Sequence, residues 1–228
     1  MEYEIQGGNL PVVICQLTQG ETMITESGSM AWMGEDIQMD TNMKGGLFGG
    51  IGRMLTGESL FLNFYKCTRG TNTIAFASSM PGSIVDIDVA VQPLICQKDA
   101  FLCAEDSVEL KMHFVKKFGA GLFGGEGFIL QLLSGRGKAF LEIDGACIMK
   151  ELTAGEVVRV DTGHVAAFEE SVSYSIERVK GFRNIVFGGE GLFLTKLTGP
   201  GKVWLQTMPV ASLASKIIPF VPKSTGQK

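Results

Sequence analysis

The sequence predicts an all-β protein in which three β-sandwich repeats follow one another in a single chain. Three observations predict this class. A glycine-rich segment that begins at position 123 returns 64 residues later, at position 187. Short β-rich runs are separated by turn residues about every eight to twelve positions, which is typical of sandwiches and barrels. Helix candidates are few, and the best of them runs from Pro209 to Ile217.

Internal repeats organise the chain. The segment Phe123–Leu130 returns as Phe187–Leu194, and the turn behind it returns as well, with Ser134–Leu141 matching Thr198–Leu205. A looser third copy lies upstream and begins at Gly45. A second motif at 17–28 recurs at 152–163, about two repeat lengths later.

These offsets predict one compact unit of three repeats over residues 1–206, divided at about 1–78, 79–145 and 146–206. Residues 207–228 form a C-terminal tail that contains the short helix candidate.

Several strands are readable within the repeats. The runs Phe128–Leu133 and Lys138–Ile143 flank a Ser-Gly-Arg-Gly turn, and this arrangement predicts a β-hairpin. The segments 157–160 and 172–176 alternate apolar with polar residues, as half-buried strands do. Phe140 and its counterpart Trp204 each follow a glycine turn and precede a leucine, so we expect both to lie in the core.

Composition and charge exclude several classes of protein. Hydrophobic residues make up 45% of the chain and charged residues 19%, which is enough apolar surface to fill a core and excludes disorder. Twenty basic and 24 acidic residues give a net charge of −4, which argues against a nucleic-acid binder. No run reaches the roughly 18 apolar residues of a membrane-spanning helix.

The five cysteines predict reduced thiols inside the core. They are odd in number, form no CxxC pair and lie among apolar neighbours: Cys15, Cys67, Cys96, Cys103 and Cys147. The N-terminus shows no basic segment followed by an apolar run, as a secretory signal would have. Together these features predict a cytoplasmic protein.

Motifs that carry chemistry are absent from the sequence. The glycines at 121–127 lack the Lys-Ser/Thr ending of a phosphate loop and lead into a strand, so they are expected to permit sharp bends. His113 and His164 have no metal-site spacing. His164 follows Asp161, and this pair has two interpretations, a turn or an acid–base site. Ser29 and Ala100 occupy the histidine's place in the other repeats, which favours the turn. We therefore expect no catalytic residue, no metal, no cofactor and no enzymatic activity.

Three glutamates recur just before the Leu/Phe strand of each repeat, at Glu58, Glu126 and Glu190. They have two interpretations. Each carboxylate accepts hydrogen bonds from backbone amides beside the neighbouring glycines, as a turn lock. Alternatively, the three converge on a pseudo-threefold axis and bind a cation. The pairs Glu21/Glu26 and Glu156/Asp161 are expected to be outward turn residues.

Large apolar residues stand beside paired glycines in all three repeats, and they form a candidate interface or membrane patch: Leu47, Phe48, Leu122, Phe123 and Phe187. Three interpretations stay open. The side chains fold into the core, they form a subunit interface, or they contact a membrane surface.

Several of these motifs together resemble the family called altered inheritance of mitochondria protein 24. The resemblance covers about residues 3–206 and is carried by four segments: Gly45–Gly50, Gly57–Asn63, Pro81–Ile84 and Phe187–Phe193. It implies a fold like that of the tryptophan RNA-binding attenuation protein, a double-stranded β-helix-type fold, with repeats placed in one chain as subunits are in that ring. The resemblance supplies no catalytic residues to transfer. Mitochondrial members of the family are associated with inner-membrane organisation.

The leading functional prediction is a non-enzymatic structural or scaffold protein that forms a homo-oligomer, with a membrane surface as a further partner. The alternative is a small-ligand binding module with its site between repeats, because pockets favour such boundaries. Nucleic-acid binding is not expected from the acidic composition.

Overall fold

The computed structural model describes residues 1–26, 28–41, 62–116, 128–178 and 193–221. Within these residues the chain is built almost entirely of β-strands, and the predicted all-β class is confirmed. The segment in which a helix is expected holds α1 (Val210–Ile217), which follows Pro209 at its N-cap. No helix of the described residues is both long enough and apolar enough to cross a membrane.

Nineteen strands are described, and from β2 onward they fall into three sets of six that we call units 1, 2 and 3. Before unit 1 stands β1 (Glu2–Gln6). Unit 1 contains β2 (Val12–Thr18), β3 (Thr22–Thr25), β4 (Met30–Met33), β5 (Ile37–Asp40), β6 (Asn63–Cys67) and β7 (Thr71–Ala77). Unit 2 contains β8 (Gly82–Asp88), β9 (Leu94–Gln97), β10 (Phe101–Glu105), β11 (Val108–Lys116), β12 (Phe128–Gly135) and β13 (Lys138–Asp144). Unit 3 contains β14 (Cys147–Leu152), β15 (Val157–Asp161), β16 (Val165–Glu169), β17 (Ser173–Arg178), β18 (Phe193–Thr198) and β19 (Gly201–Gln206).

Every unit divides its six strands between two sheets in the same way. The first, sixth and third strands form one antiparallel trio, and the fourth, fifth and second form the other. Sheet 1 has the order β1-β2-β7-β4, and sheet 2 has the order β5-β6-β3-β10-β13-β8. Sheet 3 has the order β11-β12-β9-β16-β19-β14, and sheet 4 has the order β15-β18-β17. Sheets 2 and 3 are therefore shared between neighbouring units, through the pairs β3–β10 and β9–β16.

Three core clusters lie between successive sheets. The first contains Cys15 and Phe76 of sheet 1 with Tyr65 and Phe140 of sheet 2. The second joins sheets 2 and 3, and the third joins sheets 3 and 4. Sheets 2 and 3 are thus covered on both faces, which is why six of the seven residues of β13 are buried, Glu142 and Asp144 among them.

The predicted hairpin of Phe128–Leu133 and Lys138–Ile143 is wrong. The first run belongs to β12 in sheet 3 and the second to β13 in sheet 2, so the two strands do not pair. The link between them is fastened to the turn between β10 and β11. Ser107 exchanges hydrogen bonds with Arg136, and the Glu105 carboxylate accepts one from the Lys138 amide at 2.6 Å. A glycine turn between two β-rich runs therefore marks a passage between sheets here.

The two aromatic residues expected in the core differ in burial. Phe140 is fully buried, whereas Trp204 at the same register position is only partly buried. Tyr3 of β1 covers Phe140 with an edge-to-face contact, the ring centroids lying 4.9 Å apart. Because β1 precedes unit 1 and its Tyr3 covers a residue of unit 2, the equivalent cover for Trp204 in unit 3 would come from a strand before unit 2. Only four residues, 78–81, separate β7 from β8, and no strand lies there.

All five cysteines are free thiols, as expected from their number and spacing. Four are buried, and Cys147 is half-buried.

Candidate functional site: the outer strand edges

A β-bulge marks the same place in the third strand of every unit. The register shifts between Met30 and Trp32 on β4, between Phe101 and Cys103 on β10, and between Val165 and Ala167 on β16. Each bulged strand pairs with the last strand of its unit. The bulges therefore fix which residues are structurally equivalent: Trp32, Cys103 and Ala167 occupy one position, and Met33, Ala104 and Phe168 occupy the next.

The two internal joins bury these positions completely. In the first join, Ala104 of β10 lies opposite Ile24 of β3. In the second, Phe168 of β16 lies opposite Ile95 of β9. Both β3 and β9 are buried at all four of their residues, and Cys103 and Ala167 are completely inaccessible.

The equivalent strands at the two ends of the chain have exposed outer edges. The outer edge of β4 in unit 1 and that of β15 in unit 3 have no partner strand among the described residues. Trp32 is 49% exposed and Met33 39%, although their counterparts in units 2 and 3 are buried. Val157 on β15 is 42% exposed. Together the two edges are the halves of a third join that is not formed within the described chain.

The chemistry of β4 is unusual for an edge strand. Exposed edges are normally protected from pairing by lysine, proline or another charged residue. The four residues of β4 are Met-Ala-Trp-Met, with no charge and no proline. On β15, Arg159 is held in an ion pair with Glu177 of β17, its Nε lying 3.1 Å from the carboxylate. An uncharged apolar edge thus stands at one end of the chain and a mixed edge at the other.

The residues that sequence analysis placed at the site lie outside the described residues. This holds for the apolar patch of Leu47, Phe48, Leu122, Phe123 and Phe187, and for the repeated glutamates Glu58, Glu126 and Glu190. The interpretations given for them stay predictions.

His164 takes the turn interpretation. Its Nδ1 lies 2.7 Å from the Gln206 carbonyl oxygen, which can only accept, so the ring donates a hydrogen bond there. The Asp161 carboxylate instead accepts from the Gly163 amide at 3.0 Å, capping the short 3-10 turn that contains the histidine. Histidine and aspartate are thus anchored to different backbone groups.

Glu21 and Glu156 form the same turn lock in units 1 and 3. The Glu21 carboxylate accepts hydrogen bonds from the amide and hydroxyl of Thr18 at 2.7 and 3.1 Å, and Glu156 accepts them from Thr153 at 3.0 and 3.1 Å. The backbone hydrogen bond is the main cause that lowers the pKa of each glutamate. Both carboxylates are therefore structural turn residues.

Sequence analysis missed Trp32, Met33 and Arg159 as residues of the outer edges. A signal for them exists in the repeats, because unit 1 carries tryptophan where the other units carry cysteine and alanine. Alignment of the third strands of the units shows a large side chain, Trp32, at the position where the two internal joins have the small residues Cys103 and Ala167. The offset between the motifs at 17–28 and 152–163 already aligns Trp32 with Ala167, but it does not show that β4 lies at a sheet edge, which is visible only in the strand pairing.

Comparison with known proteins finds relatives along nearly the whole chain. An uncharacterized protein of Streptococcus pyogenes serotype M6 is 28% identical over 223 residues, a match that covers 94% of this chain and 88% of the relative. The X-ray crystal structure of protein SPYM3_0169 from Streptococcus pyogenes superposes with a TM-score of 0.81 at 25% identity and covers 96% of this chain and 99% of that one. Residues 3–208 match the family described as Mitochondrial biogenesis AIM24. The chain therefore belongs to the AIM24 family.

Proposed function

We propose that the protein is a non-enzymatic structural protein that self-associates head to tail, with β4 of one copy pairing with β15 of the next. One observation carries the proposal. Both strands have exposed outer edges, yet each is the counterpart of strands that are fully buried in the two internal joins. A second copy supplies to each edge the partner that the neighbouring unit supplies inside the chain.

The internal joins give the register of the contact. Arg159 of β15 pairs with Lys196 of β18, and Ile95 of β9 pairs with Leu132 of β12. Both members of the first pair lie 64 residues after those of the second, so Arg159 is the counterpart of Ile95. Because Ile95 faces Phe168, and Met33 is the counterpart of Phe168, Met33 of one copy lies opposite Arg159 of the next. Such a contact joins two different surfaces, so it builds a ring or an open filament.

Two single cysteine variants test this register. Opposed residues in an antiparallel pair have Cβ atoms about 4.5–5.5 Å apart, near disulfide range. We expect Met33→Cys and Arg159→Cys, mixed and oxidised gently, to form a disulfide-linked dimer between the two variants. Val91→Cys, at a position that is 82% exposed and remote from both strands, is the matched control for either partner. The wild-type protein, oxidised in the same way, shows how much dimer forms through Cys147, the half-buried native thiol.

The outcomes separate the alternatives. Dimers from the mixed variants, absent when Val91→Cys replaces one of them, support head-to-tail pairing. A chain that carries both Met33→Cys and Arg159→Cys tests closure within one molecule. If a disulfide forms only in this double variant, and only within one chain, the two edges pair with each other and the proposed self-association is wrong. A yield no higher than that of Val91→Cys also overturns it.

The proposed setting is the cytoplasm. Five free thiols support it, because a reducing compartment keeps such thiols unpaired.

Contact with a membrane surface is a second candidate, favoured by the C-terminal end. The α1 helix has no buried residue, and the apolar side chains at its end are widely exposed: Ile217, Ile218, Phe220 and Val221. Amphipathic segments with exposed apolar ends bind at the lipid headgroup boundary. We expect wild type to float with anionic liposomes and Ile217→Asp/Phe220→Asp to stay behind. Equal flotation of the two proteins contradicts this candidate.

A further inference from the structure

A cavity of about 850 Å³ lies where the three units meet. Its wall includes one residue from the last strand of each unit: Ala77, Glu142 and Gln206. These three are equivalent, because each comes directly after the residue that pairs with the first residue of the β-bulge in its unit. The α1 helix covers part of it with Val210, Ala211 and Ala214. A cavity of this size is in the range that holds small organic ligands.

The charged wall is predominantly acidic. Four carboxylates line the cavity, from Glu26, Asp99, Glu142 and Asp144, and Lys98 is the one basic residue among the lining residues described. Glu142 is held in place by Ser78 and Ser79. Its Oε2 accepts hydrogen bonds from the two hydroxyls at 2.9 Å and from the Ser79 amide at 2.7 Å. These contacts hold the Glu142 carboxylate in place at the wall.

Two buried amide oxygens add an excess of hydrogen-bond acceptors. Gln97 lines the cavity, is 8% exposed, and its Oε1 has no hydrogen-bond partner in the described structure. Gln131 is fully buried behind the wall and donates from Nε2 to the Glu26 carboxylate at 2.7 Å, which leaves its own Oε1 without a partner. An unpaired buried acceptor is destabilising, so a ligand that brings an N–H donor to the Gln97 oxygen is favoured here.

Much of the remaining wall is apolar. Met30 and Ala31 of β4 face the cavity with the side chains of α1. Acidic and apolar surfaces thus line one space, which suits a molecule that alternates ammonium groups with methylene segments.

We propose that the cavity binds a small organic polycation, of the chemical class of the polyamines. Its ammonium groups pair with the carboxylates and donate to the Gln97 amide oxygen, and its methylenes pack on the apolar wall. This function is separate from self-association, because the carboxylates and glutamines of the cavity are not on the outer edges.

The surroundings of Asp144 suit a cationic ligand. Burial, and then the neighbouring Glu142 charge, raise the pKa of this carboxyl to about 6, with Asp99 contributing and the Val210 amide opposing. A bound ammonium group would offset both main causes, because it neutralises the negative surroundings.

Calorimetric titration with spermidine tests the proposal at about 150 mM salt, where surface charges are largely screened. We expect saturable binding of one spermidine per chain. Glu142→Gln/Asp144→Asn should weaken it about tenfold or more, because hydrogen bonds to charged groups are the strong ones. The matched control, Glu109→Gln/Glu177→Gln, removes the same charge at two exposed ion pairs outside the cavity and should leave binding unchanged.

A second variant keeps the test decisive if the double variant does not fold. Ala214→Trp fills the cavity from the solvent-facing helix and should abolish spermidine binding while far-UV circular dichroism stays unchanged. No saturable binding by wild type overturns the proposal, as does an equal loss in the control variant. Binding of Mg²⁺ at the same site with the same affinity also overturns it, because the apolar wall would then have no role.

Discussion

Phe140 shows how much one residue depends on the strand that covers it. The ring is fully buried between sheets 1 and 2, with Tyr3 on its edge. Phe140→Ala should therefore lower the free energy of unfolding by about 3–5 kcal/mol in urea titration. Trp204→Ala, at the equivalent but partly exposed position, should cause a smaller loss in the free energy of unfolding, by a margin of about 1 kcal/mol or more. Equal losses would contradict the role given to Tyr3.

Asp144 gives a prediction about pH. Its pKa in the folded state is about 6 against an ordinary value of 3.8, so the folded state disfavours the charged form. The contribution of this group to stability is complete below pH 3.8 and is lost as the pH rises through about 6, by at most about 3 kcal/mol.

Asp144→Asn should remove this pH-dependent loss of stability, because the asparagine side chain carries no charge and its oxygen can still accept a hydrogen bond from the Val210 amide. The difference between variant and wild-type stability, measured in urea from pH 4 to 7.5, should therefore grow up to about pH 6 and then stay level. A difference that does not change with pH would contradict the assignment.

At the scale of elements, the turn between β12 and β13 depends on Gly135. The glycine has φ of +96°, and a Cβ there would lie 2.6 Å from the Ser107 carbonyl oxygen. Gly155 also has a positive φ, of +79°, but a Cβ there would meet nothing within 4 Å. An alanine at either position would have the same kind of backbone strain, but only at Gly135 would its Cβ clash with another atom. Comparing the two substitutions therefore separates the clash from the strain.

We expect Gly155→Ala to cost about 1–2 kcal/mol, the strain of a left-handed alanine. Gly135→Ala should cost about 2 kcal/mol more, because the Ser107 carbonyl must also move. Thermal unfolding followed by circular dichroism measures both. Similar losses for the two variants would mean that the link between the sheets adapts easily.

The four strand segments that the sequence predicted are confirmed as β12, β13, β15 and β17, but the pairing predicted for the first two is wrong. Alternation of apolar and polar residues identified β15 and β17, because that pattern depends only on the chain itself. The glycine turn after β12 looked like a hairpin because a tight turn usually pairs its flanking strands. Which sheet receives β13 is decided by Glu105 and Ser107, more than 25 residues earlier in the chain. Local patterns carry no information on such contacts.

At the scale of the whole molecule, the described strands form one join fewer than three units allow, and this difference is testable in solution. Met33→Lys places a charge on the outer edge of β4, where it should block strand pairing between copies. We expect sedimentation equilibrium to show a lower mass than for wild type, with no change in urea stability. Val91→Lys, which adds the same charge at an exposed position in the link between β8 and β9, should keep the wild-type mass. A monomeric wild type would contradict the expectation at once.

The cavity could not have been predicted from the sequence for a related reason. Ala77, Glu142 and Gln206 stand at one equivalent position but share no chemistry, so the repeat gives no motif there. Gln97 and Gln131 look like ordinary polar residues of apolar strands, and only the structure shows that their buried Oε1 atoms have no hydrogen-bond partner among the described residues. The site arises from the meeting of three units, and no single segment records it.

Sharing a sheet between neighbouring units also constrains how the protein is made. Sheet 2 begins with β3 at Thr22 and is complete only when β13 ends at Asp144, and the first core cluster needs Phe140 from that last strand. A chain emerging from the ribosome therefore cannot close its first core when its first unit is finished. Most of that core comes from unit 1, but Ile84, Leu102, Cys103 and Phe140 come from unit 2, so the core stays incomplete until most of the second unit is made. During this stage of synthesis the part of the core that unit 2 covers is exposed, and a chaperone would have that β-surface to hold.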